Sequence, residues 1–151
     1  MSESGKKFAV VIPARYESSR FPGKPLAKIL GLPMIQHVWN RCCQAVDKSL
    51  VYVATDDESI KDVVESFGGQ VVLTSSSCLT GTDRLAEANE TLRCNFIVNV
   101  QGDEPLIDPA HINAAIAAYE ETGKVTNAMC AINSSAEFFS KAVPKVVTSG
   151  S

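Results

Sequence analysis

The chain has 151 residues, 45% hydrophobic and 21% charged, with a formal net charge of −3 and a pI near 5.4. That is enough for one domain with its own core, and the acidic balance excludes a general nucleic-acid binder, which carries a basic surplus. No run of about 18 apolar residues is present to form a membrane span, and Met1–Lys7 has no signal-peptide apolar region, so a cytoplasmic location is expected.

Residues 7–12 read as a strand whose continuous apolar run, Phe8–Ile12, is that of a strand covered on both faces. Met34, Ile35, Val38, Trp39, Cys42 and Val46 recur at helical spacing and predict a helix over 33–46. Residues 50–54 read as the second strand. Thr55-Asp56-Asp57-Glu58 has a capping-box pattern that opens a helix ending at Gly68-Gly69. Residues 70–73 are the third strand, and a polar loop follows as far as Arg84. Leu85, Ala88 and Leu92 mark a short helix, and 96–100 a fourth strand. Asp108-Pro109 is an N-cap followed by Pro at the first helical position, with the helix ending near Gly123. Residues 127–132 and 145–148 read as fifth and sixth strands, with a helical turn at 135–140 between them. Strands alternating with helices predict an α/β fold of three layers, a mostly parallel sheet with helices on both faces. No repeat or linker divides it, so 1–151 is read as a single domain.

The five cysteines (42, 43, 78, 94 and 130) form no CxxC pair and are odd in number, which points to reduced structural thiols. His37 and His111 have no partner at metal-ligand spacing and read as structural. Trp39 and Phe67 read as core, and Asp56-Asp57 as a helix start.

Two stretches carry chemistry. Pro13–Leu26 is a basic loop, punctuated by Pro and Gly, at the carboxyl end of the first strand. Open α/β sheets bind ligands there, and Arg15, Arg20 and Lys24 concentrate positive charge in an acidic chain. The loop reads as a cradle for a nucleoside triphosphate. It is not a Walker A loop, because Ser18 and Pro25 stand where Gly and Ser or Thr are needed. No GxGxxG follows any strand, so a dinucleotide site is excluded. The second stretch is Asn99-Val100-Gln101-Gly102-Asp103-Glu104-Pro105. A carboxylate at a strand's carboxyl end can hold Mg²⁺ together with substrate phosphates, and Gly102 is read as admitting close approach of a ligand. A solvated polar turn is the alternative reading of Asp103 taken alone.

Taken in order, Pro13-Ala14-Arg15-Tyr16, Ser19-Arg20, Pro22-Gly23-Lys24-Pro25-Leu26, Val53-Ala54-Thr55-Asp56, Gly81-Thr82-Asp83-Arg84-Leu85 and the Asn99–Pro105 run resemble the 3-deoxy-manno-octulosonate (Kdo) cytidylyltransferases. The enzymes acting on the 8-amino sugar are similar, and the sialic-acid cytidylyltransferases more distantly so. The resemblance implies a nucleotide-diphosphosugar-transferase-like fold. It further implies a Mg²⁺-dependent reaction of CTP with a 2-keto-3-deoxy sugar acid for lipopolysaccharide synthesis, in a homodimer that binds neither membrane nor nucleic acid.

By position, Pro13, Ala14, Ser19, Arg20 and Gly23 would shape the cradle, with Arg15 and Lys24 on the phosphates. Thr82, Asp83 and Arg84 would lie by the cytosine, Gln101 would face the sugar and Asp103 would bind Mg²⁺. Arg15, Lys24 and Asp103 would be the catalytic residues. Thr80 stands where many relatives have Ser. Relatives run to roughly 250 residues, the upper end of ordinary domain sizes. The expectation is therefore a chain that lacks the C-terminal part of the family domain and by itself turns over weakly or not at all. Activity toward another 2-keto sugar acid and a non-catalytic nucleotide-binding module are the alternatives.

Overall fold

A computed structural model of the chain describes residues 7–17 and 21–147. The first strand, β1 (Phe8–Pro13), leads through a 3-10 turn at Lys24–Leu26 into a two-stranded hairpin, β2 (Lys28–Ile29) and β3 (Leu32–Pro33). Helix α1 (Met34–Ala45), β4 (Val51–Thr55), α2 (Glu58–Ser66) and β5 (Gln70–Leu73) follow. Then come α3 (Gly81–Leu92), β6 (Phe96–Asn99), α4 (Pro109–Thr122) and the short α5 (Ser135–Phe139).

Four strands form a parallel sheet in the order β5-β4-β1-β6, with Val10 of β1 opposite Val51 on one side and Val98 on the other. All five residues of β4 and the central four of β1 are buried, because both faces of the sheet are covered. Strand side chains alternate between faces. Val10, Ile12, Val51 and Val53 pack with Ile35 and Val38 of α1, Ile60 and Val64 of α2 and Ile112 of α4. Ala9, Val11, Tyr52, Ala54 and Val72 pack on the other face against Leu85 and Ala88 of α3. The three layers read from the sequence are those observed.

Right-handed crossovers explain this division. From β1 the chain steps outward to β4 and β5, with α1 and α2 on one face. Helix α3 then carries it back past β1 to β6, which places that helix on the opposite face. The reversal makes the β1–β6 junction the topological switch point, where sheets of this kind bind ligands.

The ends of the helices are set by short polar side chains. Asp108 accepts from the Ala110 amide ahead of Pro109, and Gly123 closes α4 in the left-handed region, both as the sequence predicts. The start of α2 differs from its predicted form. Asp57 is the N-cap and accepts from Ile60 N–H, while Thr55 is buried at the end of β4 and accepts from Asp57 N–H. The reciprocal capping box lies instead at α3, between Thr80 and Asp83, in a stretch the sequence reads as loop. Trp39 and Phe67 pack against the core as expected, with their ring centroids 5.3 Å apart, and His37 Nε2 donates to the Ile29 carbonyl at 2.8 Å. His111 is exposed on α4.

The strands predicted at 127–132 and 145–148 do not form among the described residues. Residues 127–132 and 145–147 are irregular, and Thr148 lies outside the described residues. A strand needs a ladder partner and a buried face. Among the described residues no strand pairs with these segments, and Val125, Met129, Val146 and Val147 are exposed.

All five cysteines are free thiols. Burial pushes Cys42 up to about 12, assisted by Cys43, and pushes Cys43 to about 11. Unfolded thiols ionise near pH 8.5, so above that pH the unfolded chain loses protons that the folded chain keeps. The stability from this source is complete below about pH 8.5 and is lost as the pH climbs toward these raised values. Urea midpoints measured from pH 8 to 10.5 should therefore fall. Cys42→Ala should lower stability overall yet flatten that fall, and an unchanged slope would remove the thiol as its cause.

Candidate functional site

A cleft of about 560 Å³ opens at the carboxyl ends of the strands, between β1 and β6, a volume within the range of small-molecule sites. Three segments line it: Pro13 at the end of β1 with Ala14, Arg15, Phe21, Lys24 and Pro25 after it, Cys78–Gly81 after β5, and Gln101–Asp103 after β6. Met34 and Arg84 complete the lining.

The β1 loop is shaped by a glycine. Gly23 adopts φ 69°, and a Cβ there would meet the Tyr16 ring at 3.2 Å, so a side chain would be both strained and crowded. Its N–H donates to the Tyr16 carbonyl at 2.8 Å. The turn places Lys24 at the head of the 3-10 segment, anchored by buried Pro25. Lys24 Nζ then donates to Asp103 Oδ2 at 2.7 Å, joining loops that are 79 residues apart in sequence. The two side chains are 41% and 52% exposed, so the pair contributes at most about 1 kcal/mol to stability.

Asp103 is held near β1 by the residue before it. A Cβ on Gly102 would stand 2.7 Å from the Pro13 carbonyl oxygen. The glycine thus allows two strand ends to touch, whereas the sequence reads it as making room for a ligand. Gly102→Ala should cost about 1–3 kcal/mol, as other overpacked sites do, or roughly 2–12 °C in melting temperature for a chain of this size. Thermal unfolding followed by circular dichroism measures it, and an unchanged midpoint would contradict the contact.

Arg84 is 3% exposed. It donates through Nη1 to Thr74 Oγ1, and Nη2 lies 3.1 Å from Asp56 Oδ1. One guanidinium therefore ties α3 to the ends of β4 and β5 at the side of the cleft. The Asp83 carboxylate accepts from the Thr80 N–H and hydroxyl at 2.9 and 2.8 Å, and these bonds hold it below the usual carboxylate range.

Of the residues expected from sequence to form the site, Pro13, Ala14, Arg15, Lys24, Arg84, Gln101 and Asp103 line this one cleft. Gly23, Thr82 and Asp83 are outside the lining: Gly23 shapes the turn, Thr82 is exposed on the first turn of α3, and Asp83 is engaged in the cap. Ser19 and Arg20 lie outside the described residues. Phe21 and Pro25, inside the Pro13–Leu26 cradle but not singled out there, also line the wall, as do Met34, Cys78, Leu79, Thr80 and Gly81, which were not assigned to the site. The Thr80-x-x-Asp83 spacing is a recognisable cap signal, and would have put Thr80 and Gly81 at a helix start. Leu79, though apolar, is 84% exposed, and nothing in its local sequence marks it.

Among the described residues, no group of three or more His, Cys, Asp or Glu could hold a metal ion. A lone half-exposed carboxylate with hard oxygen donors suits Mg²⁺ that arrives on phosphate oxygens.

Residues 9–149 match the family described as cytidylyltransferase. The chain is 50% identical over 144 residues to a 3-deoxy-manno-octulosonate cytidylyltransferase of Geobacter metallireducens, covering 94% of this chain and 57% of that one. It is 55% identical over 117 residues to an 8-amino-3,8-dideoxy-manno-octulosonate cytidylyltransferase of Shewanella frigidimarina, covering 76% and 48%. The fold superposes on a CMP:2-keto-3-deoxy-manno-octonic acid synthetase complexed with CTP, with a TM-score of 0.75 and 42% identity over 78% of this chain and 49% of the other. A cytidylyltransferase from Leptospira borgpetersenii shares the fold, with a TM-score of 0.69 at 24% identity over 78% of this chain and 50% of the other. The chain spans about half the length of the curated relatives it matches. With the matched region enclosing every segment that lines the cleft, the chain belongs to the cytidylyltransferase family.

Proposed function

We propose that this chain is the nucleotide-binding part of a cytidylyltransferase that joins CTP to 3-deoxy-manno-octulosonate, giving CMP-Kdo and pyrophosphate for lipopolysaccharide biosynthesis. The observation that carries this reading is the meeting of Lys24 and Asp103 at 2.7 Å inside the switch-point cleft. A cation for phosphate and a carboxylate for a divalent ion converge where a triphosphate would lie. The names of the relatives, and the solved complex with CTP, supply the nucleotide and the sugar acid. In this reading 1–151 is one domain, the protein works in the cytoplasm, and it is a homodimer. The described residues contain no helix long and apolar enough to cross a membrane, which is compatible with that location.

The reaction is an in-line displacement. The anomeric oxygen of the sugar forms a bond to the α-phosphorus, the bond from that phosphorus to the bridging oxygen breaks, and pyrophosphate leaves with the electron pair. Arg15 and Lys24 would hold the triphosphate and neutralise charge on the departing pyrophosphate, so that their contribution is positioning and electrostatics. Asp103 would hold Mg²⁺, which when bound polarises the α-phosphate and makes the attacking hydroxyl more acidic. Asp103 is the one carboxylate among the described residues lining the cleft; no side chain is assigned as general base, and the hydroxyl proton would pass to solvent water. Gln101, exposed at the rim, would face the sugar.

A second reading, in which the acceptor is the 8-amino sugar, is favoured by the Shewanella relative. The test is pyrophosphate release by the protein carrying this sequence, with CTP, Mg²⁺ and each of Kdo, 8-amino-Kdo and sialic acid. Fastest release with Kdo is the expected result, and fastest release with the amino sugar would select the second reading. No release with any acid, alongside retained CTP binding, would leave a nucleotide-binding module.

A further inference from the structure

Glu87 lies on α3 outside the cleft lining, and the reaction as derived above does not use it. Its carboxylate is nevertheless committed to the loop that forms one wall. Oε1 accepts from the Ser75 backbone N–H at 2.6 Å, and Oε2 accepts from the Cys78 thiol at 3.0 Å. Within the loop, Ser77 N–H donates to Ser75 Oγ at 3.1 Å, and the two hydroxyls lie 2.7 Å apart. The loop's two ends are fixed by the same helix, through Arg84 to Thr74 and through Asp83 to Thr80. Glu87 is the third anchor and holds the middle of the loop, immediately before Cys78, Leu79, Thr80 and Gly81 enter the cleft wall.

We propose that Glu87 is a positioning residue for the nucleotide: it gives one oxygen to Ser75 and one to Cys78, and so holds the Cys78–Gly81 wall where CTP packs. This rests on the nucleotide reading above. The bonds also leave a chemical signature. The Cys78 thiol is raised by its bond to Glu87, and Glu87 is lowered by its bonds from Cys78 and Ser75, with Arg84 and Asp83 as the neighbouring charges. An intact clamp therefore keeps Cys78 protonated and slow toward alkylating reagents.

The test uses Glu87→Ala, which removes both acceptors, and Glu87→Gln, whose amide keeps one. CTP affinity is measured by calorimetry with Mg²⁺, and Cys78 alkylation by iodoacetamide is followed by peptide mass mapping, because other thiols react too. In the protein that turns over, KM for CTP and kcat are separated. For Glu87→Ala the expected results are a tenfold or greater loss of CTP affinity, a comparable rise in KM with kcat within threefold, and at least tenfold faster Cys78 alkylation. Glu87→Gln should fall between Ala and the native chain. A folded Glu87→Ala chain that keeps CTP affinity within twofold overturns the proposal, whatever its thiol reactivity. If Glu87→Ala does not fold, Glu87→Gln decides by the same readouts. If the native chain binds no CTP, the nucleotide reading itself fails. Alkylation of Cys78 then still decides whether Glu87 clamps the loop, and an unchanged rate overturns the clamp.

Discussion

Replacing Lys24 by Met is expected to lower CTP affinity about 10- to 150-fold, the loss of one charge-assisted hydrogen bond of about 1.5–3 kcal/mol. The same change should move the melting temperature by no more than about 4 °C, because the Lys24–Asp103 pair is exposed and screened. Large effect on the ligand and small effect on the fold is the signature of a group placed for binding. Lys24→Arg should recover part of the affinity, since the charge returns on a wider, planar head. Calorimetry and thermal denaturation of the three proteins check this directly. A drop in stability matching the drop in affinity would recast Lys24 as a structural tie between two loops.

Arg84→Met is expected to do the reverse and strike the fold first. The guanidinium is 3% exposed and faces both Asp56 and Thr74. Removing one partner of a buried pair leaves an uncompensated charge, at a cost of about 3–5 kcal/mol. The Asp56 side chain is 22% exposed, which favours the lower end of that range. About 3 kcal/mol corresponds to roughly 6–12 °C in melting temperature for a chain of this length. Asp56→Asn should cost less, because the amide oxygen still accepts a hydrogen bond. A double-mutant cycle of the two should show coupling, because they touch. An Arg84→Met chain as stable as the native one would mean that the pair breaks even against packing. Since Arg84 also lines the cleft, a residual effect on CTP beyond the stability loss would measure its contact with the nucleotide.

The sheet was legible because each parallel strand is an apolar run bounded by polar punctuation, as Phe8–Ile12 and Leu50–Ala54 show. The helices were legible from period and caps, with Asp108-Pro109 and Gly123 marking the ends of α4. The same apolar content misled at 127–132 and 145–148. Composition reports what a segment would bury, while a strand also requires a neighbour to pair with. Arg15, Lys24 and Asp103 could be found because each follows a strand on the ligand-binding edge of the sheet. The wall from Cys78 to Gly81 could not, since beyond the local Thr80–Asp83 cap it is held by bonds from Arg84 and Glu87 to a loop about ten residues earlier. Gly102 shows the same limit. Its identity was noticed, but its neighbour, the Pro13 carbonyl, is 89 residues away and visible only in the folded chain.

The central claim is that the β1–β6 cleft of these 151 residues is a CTP site. The measurement that tests it most directly is calorimetric titration of the chain with CTP, ATP, GTP and UTP in Mg²⁺, repeated with Asp103→Asn. CTP is expected to bind at least tenfold more tightly than the other three, and the variant to lose most of that affinity in Mg²⁺. A folded chain that binds no nucleotide, or binds all four alike, would contradict it.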